Sequence, residues 1–174
     1  MIIAGIDPGL EGALAVADIR KTEGGQFELA AVLRIEDLPI GKYDNGDLID
    51  VRKLTEILGE YEPRIISMEW PGPRTSKTSS GTPKTEWRFA LGCGATLAAC
   101  QLITPMVSLY APISWKSALK VTSNKMTSVE LARSLVDPET RKLFLKSRHD
   151  RAEAFLLIEH VRRLLNAGKR LVIS

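Results

Sequence analysis

The chain has 174 residues and a mass of 19.2 kDa, enough for one domain and short for two, and a domain of this size buries roughly 70% of its unfolded surface without disulfide or metal staples. Its 44% apolar and 26% charged residues and mean hydropathy of −0.03 exclude disordered and fibrous classes, and no apolar run approaches the roughly 20 residues of a membrane span. The net charge of +3 conceals a division: residues 1–73 carry 7 Lys/Arg and 14 Asp/Glu (net −7), residues 74–174 carry 17 and 7 (net +10), the asymmetry expected when one surface faces a polyanion.

An apolar run over residues 2–6 ends at Asp7-Pro8-Gly9, and after Gly12 a second run covers residues 13–17, which predicts two strands joined by a Gly/Pro turn. No basic residue stands ahead of the first run, so it reads as a buried strand and not as a signal peptide. A third strand is expected over residues 27–35, completing an antiparallel meander. After the polar residues 42–46, Val51, Leu54, Ile57 and Leu58 share one helical face, with Asp50 as the cap. Pro63 ends that helix, and residues 64–70 read as a strand lying parallel to the first through a strand–helix–strand crossover.

Residues 71–86 lack any apolar pattern and read as a long loop. Helical periodicity resumes over residues 87–102. A strand is expected over residues 106–110, and two last helices over 127–136 and 148–165. Cys93 and Cys100 read as reduced, half-buried thiols, as in a cytoplasmic protein. The sum is a mixed sheet covered by helices, one α/β domain over residues 1–174.

Asp7 ends the first strand, and Glu69 stands at the end of the strand expected to lie beside it, so the two carboxylates fall next to each other. Asp150 and Glu153, spaced i, i+3, share a face near the start of the last helix, and His149 precedes them. Taken singly, Asp7 suits a turn, and Asp150 and Glu153 suit a helix N-terminus. An unpaired Glu69 on an apolar strand is costly. Four carboxylates brought together repel one another unless a cation lies between them. One or two Mg²⁺ are the usual solution, and two such ions roughly 3.5–4 Å apart clamp a phosphodiester for in-line displacement.

The segments Ile3-Ala4-Gly5-Ile6-Asp7-Pro8-Gly9, Ile66-Ser67-Met68-Glu69-Trp70 and His149-Asp150-Arg151-Ala152-Glu153-Ala154 resemble, in order and spacing, the motifs of RuvC-type Holliday junction resolvases of the ribonuclease H-like superfamily. The resemblance runs from residue 2 to about residue 161. It implies a ribonuclease H-like mixed five-stranded sheet flanked by helices, and a homodimeric endonuclease acting on four-way and other branched DNA. It also implies Asp7, Glu69, Asp150 and Glu153 as catalytic residues and ligands of two Mg²⁺, for which Mn²⁺ can substitute. By the same resemblance Lys116, in Pro112-Ile113-Ser114-Trp115-Lys116, and Lys125 contact phosphates. Glu153 replaces the aspartate usual in cellular members, and the loop after Glu69 is longer. Both features look more like phage and viral relatives, in a bacterial or phage-infected cytoplasm. His149, as a metal ligand or base, ranks below Asp150. The helix over residues 87–102, with its small residues, is a candidate dimer surface.

The basic half supplies further phosphate partners: Arg74, Lys77, Lys84 and Arg88 around the long loop, Lys116, Lys120 and Lys125 around the next connection, and Arg141, Lys142, Lys146, Arg148 and Arg151 at the entry to the acidic helix. Trp70 and Trp87 bracket the loop, to stack on an unpaired base or to pack in the core. Trp115 reads as structural. Two rival functions are a catalytically silent protein that binds branched DNA and a phosphate-handling ATPase of the actin-like fold. The second would need another glycine-rich phosphate loop, which the sequence lacks.

Overall fold

The computed structural model describes residues 1–44, 46–72 and 82–171. Strand β1 (Ile2–Asp7) lies in the middle of a five-stranded sheet and sends Ile3 into one apolar layer and Ala4 and Ile6 into the other. On one side it pairs antiparallel with β2 (Ala13–Lys21), which pairs antiparallel with β3 (Phe27–Asp37). On the other side lie two parallel strands, β6 (Ile65–Glu69) and β7 (Val107–Tyr110), giving the order β3-β2-β1-β6-β7. The meander and the parallel crossover expected from the sequence are both present. A short pairing of β4 (Ile40–Gly41) with β5 (Leu48–Ile49) brackets the polar stretch that read only as a loop.

Helices cover both faces. Leu54, Ile57 and Leu58 of α1 (Val51–Tyr61) and Cys93, Ala99 and Cys100 of α2 (Pro83–Ile103) fill the layer around Ile6 and Met68. The opposite layer holds Trp115 and Leu119 of α3 (Pro112–Leu119), Val129 and Ala132 of α4 (Lys125–Ser134) and Phe155 and Ile158 of α6 (His149–Asn166). A four-residue helix, α5 (Pro138–Arg141), and a 3-10 turn at Lys146–Arg148 lead into α6.

Several boundaries differ from those expected, for local reasons. α2 begins within the stretch read as loop, because Thr82 accepts from the Thr85 amide and Pro83 opens the first turn, although that turn carries no apolar residue. α3 was not foreseen: it has eight residues and its buried contacts come from Trp115 and Leu119. α4 starts two residues early, where Asn124 accepts from the Met126 amide at 3.0 Å. Cys93 and Cys100 are buried rather than half-buried, Cys100 completely so, and both are free. Burial pushes the Cys100 thiol up to about 12. Burial, reinforced by the nearby Asp7 and Glu69, pushes Cys93 up to about 11, so neither is a nucleophile at neutral pH.

Asp50 does cap α1, accepting from the Lys53 amide at 3.0 Å. Asp50→Ala is therefore expected to lower stability by about 1 kcal/mol, read as a shift of the urea midpoint with an unchanged slope.

Candidate active site

Strand alternation puts the two strand-end acids on one side of the sheet. Asp7 follows Ile3 and Gly5 at period two, and Glu69 follows Ile65 and Ser67, so both face the layer that contains α6. Ile6 stands opposite Met68 in the parallel β1–β6 pair, which makes Asp7 and Glu69 the ends of neighbouring strands. The other two acids arrive on α6. That helix crosses β1 so closely that a Cβ on Gly5 would run into the Ala154 carbonyl oxygen and stand 3.0 Å from Ile158 Cγ1. Glycine at position 5 thus lets the backbone of α6 reach the sheet, and the turn just before this crossing carries Asp150 and Glu153. A second close approach holds the loop after Asp7: a Cβ on Gly12 would meet the Asp7 carbonyl oxygen.

The four carboxyl groups share one electrostatic field. Asp7 is 8% exposed, and burial foremost, then Glu69, Glu153 and Asp150, holds its carboxyl well above the usual range, with the Lys116 ammonium pulling the other way. Burial also raises Glu69, against the opposing pull of Lys116 and of the Trp115 indole N–H, which donates to Glu69 Oε2 at 2.8 Å. Lys116 Nζ donates to both oxygens of Glu153 at 2.9 Å, and the buried Ser128 hydroxyl donates to Glu153 Oε1 at 3.1 Å. His149 Nε2 stands 2.9 Å from Asp150 Oδ1.

Each acid but Asp7 is thus turned to a partner of its own. Among the described residues, no three carboxylate, imidazole or thiol groups gather into a finished chelate. The donor chemistry still fits a hard divalent cation: four oxygen-donor groups, a buried carboxyl that a neighbouring +2 charge would ionise, and an ammonium already drawn in among the acids. Trp115→Phe keeps an aromatic ring but removes the donor to Glu69 and part of a wholly buried indole. It is expected to cost about 1–3 kcal/mol in chemical unfolding, and to move the Glu69 carboxyl further up in an NMR titration.

No family model and no curated protein matches the chain. Solved structures do. Thermus thermophilus RuvC superposes with a TM-score of 0.58 at 17% identity, over 95% of this chain and 98% of that one. The fowlpox virus resolvase, solved with its substrate Holliday junction DNA, gives 0.52 at 17% identity, over 95% and 99%. The yeast mitochondrial Holliday junction resolvase gives 0.51 at 17% identity, over 92% and 77%. The fold is that of the RuvC resolvases.

Within this RuvC-like fold the other expected residues fall in separate places. Lys116, on α3, reaches the acids. Lys125 opens α4 one turn before Ser128 and is exposed, as is Lys84 in the first turn of α2. Arg74 and Lys77 lie outside the described residues. Trp70 follows Glu69 and is 37% exposed, whereas Trp87 is 64% exposed and does not pack in the core. Trp70, Pro71, Phe89, Ala90 and Cys93 line a cleft of about 450 Å³ between the end of β6 and the first turns of α2.

Trp115 is wholly buried, as a structural residue would be, but its bond to Glu69 was missed. So was Ser128. A serine on an amphipathic helix has no distinguishing sequence signal, whereas Trp115 sits directly before a lysine already singled out.

Proposed function

We propose that this chain is a structure-selective endonuclease that hydrolyses phosphodiesters in four-way and other branched DNA. The observation that supports this best is that Glu69, Asp150 and Glu153, from two other elements, all act electrostatically on the buried Asp7 at one end of a sheet with RuvC-like topology. These four residues would hold two Mg²⁺, or Mn²⁺ in their place. Bound there, such ions would supply positive charge to activate an attacking water and to stabilise the leaving 3′-oxygen.

The chain's own residues prepare the site. Trp115 fixes the orientation of Glu69, while Lys116 and Ser128 fix Glu153. Lys116 also places a positive charge where a scissile phosphate is to enter. Lys84 and Lys125, with Arg74 and Lys77, would neutralise backbone phosphates, a contribution that weakens as salt rises and reads no sequence. The apolar cleft beside Glu69 suits a base unstacked at the branch point, with Trp70 as the stacking face. His149 orients Asp150.

A junction with two-fold symmetry calls for two equivalent nicks, and hence for a homodimer. The outward face of α2 serves that purpose: Trp87 and Leu102 are 64% and 73% exposed, with Leu91, Gly94 and Ala98 between them. The decisive experiment is incubation of the protein with a synthetic four-way junction, a flap and a plain duplex, each in Mg²⁺ and in EDTA, with the nicks mapped. Metal-dependent nicks confined to branched substrates are expected. Tight junction binding without nicks would leave a silent binding protein, and ATP turnover without DNA would bring back the actin-like reading.

A further inference from the structure

Strand β3 ends at Asp37, which pairs with Ala13, itself paired with Asp7. Asp37 therefore stands at the same end of the sheet as the four acids, two strands away. Its carboxylate receives two guanidinium groups from the start of α6: Arg151 Nε, in the first turn, lies 2.8 Å from Oδ1, and Arg148 Nη1, at the N-cap, lies 3.2 Å from Oδ2. The Arg148 side chain is 51% exposed, Asp37 34% and Arg151 23%, so the cluster opens to solvent. Two arginines converging on the paired oxygens of one anion make the arrangement by which guanidinium groups hold a phosphodiester, whose two non-bridging oxygens can replace those of a carboxylate.

We propose that Arg148 and Arg151 form a seat for a backbone phosphate of the DNA, and that Asp37 fills this seat in the free protein and competes with the DNA for it. The inference rests on the reading of branched DNA as the substrate. An ion pair this open to water is weakly held, so a phosphate can displace the carboxylate. Asp37 thereby subtracts from the protein's affinity for any nucleic acid. A uniform subtraction leaves the ratio between substrates unchanged, but it brings the weak, sequence-independent binding expected of a strongly basic second half down to a level that salt readily breaks.

The test is fluorescence anisotropy with a labelled synthetic four-way junction in EDTA, over a series of NaCl concentrations. It compares the unaltered protein with Asp37→Asn and Arg148→Gln, and a thermal melt of each confirms folding. Asp37→Asn is expected to bind about three- to tenfold more tightly at low salt, with a log–log salt slope steeper by about one. Arg148→Gln is expected to bind more weakly, with a slope shallower by about one. A folded Asp37→Asn protein that binds no more tightly overturns the proposal. Should that variant not fold, an unchanged salt slope for Arg148→Gln overturns it instead. If the unaltered protein binds no junction at all, the endonuclease reading falls and this inference with it. If the unaltered protein binds the junction in EDTA and nicks it in Mg²⁺ while both variants behave like it, this inference falls alone.

Discussion

Asp7→Asn is expected to reduce nicking of a four-way junction by roughly a thousandfold or more, about 4 kcal/mol of lost transition-state stabilisation, while leaving junction binding in EDTA intact. Asparagine has nearly the same shape as aspartate but cannot carry the charge that a divalent cation needs from a ligand. The same variant has a second expected signature. In the free protein Asp7 and Glu69 hold their protons more tightly than in the unfolded chain, because burial and neighbouring carboxylates disfavour their charged forms. Their contribution to stability is therefore complete below the ordinary carboxylate range and is lost as pH rises through the raised values. A melt without divalent metal should fall over that interval for the unaltered protein and fall less for Asp7→Asn, which should be the more stable of the two at neutral pH. Added Mg²⁺ should raise the melt of the unaltered protein alone. A variant that nicks normally, or a melt indifferent to Mg²⁺ in both proteins, would contradict the assignment of Asp7.

Gly5→Ala tests how the site is assembled. The added methyl group would run into the Ala154 carbonyl oxygen and lie 3.1 Å from the Ala154 carbonyl carbon, both parts of the α6 backbone and not movable side-chain tips. Either β1 or α6 must give way, at a cost of about 3 kcal/mol. In a domain of this size such a loss lowers the melting temperature by roughly 6–12 °C. The displaced helix carries Asp150 and Glu153, so nicking at a temperature where the variant is still folded should drop as well. A variant with normal activity and stability would mean that α6 does not need this close approach.

The sequence made the central strands legible, because an apolar run that ends in a lone acid beside proline or tryptophan leaves few alternatives for Asp7 and Glu69. The acidic pair on α6 was legible from spacing, and α1 from its apolar face and its Asp50 cap. Other features lay below the reach of pattern. A helix of eight residues shows barely two turns of periodicity, so α3 stayed hidden, and with it the reason Lys116 reaches Glu153. The first turn of α2 is polar throughout and is announced by Thr82-Pro83 alone. Long-range partnerships such as Trp115 with Glu69, Ser128 with Glu153 and Asp37 with Arg151 depend on how finished elements dock, which local sequence does not encode.

The crossing of α6 over β1 also bears on the order in which the molecule acquires its chemistry. The first strand and the last helix stand at opposite ends of the chain, so their contact closes the longest loop and comes at the greatest entropic expense. A nascent polypeptide with its sheet half built presents two acids and neither the helical pair nor the ammonium that steadies them. Asp7, Glu69, Asp150 and Glu153 therefore stand together only once α6 has docked on β1, and a chain that lacks this contact holds an incomplete set of acids.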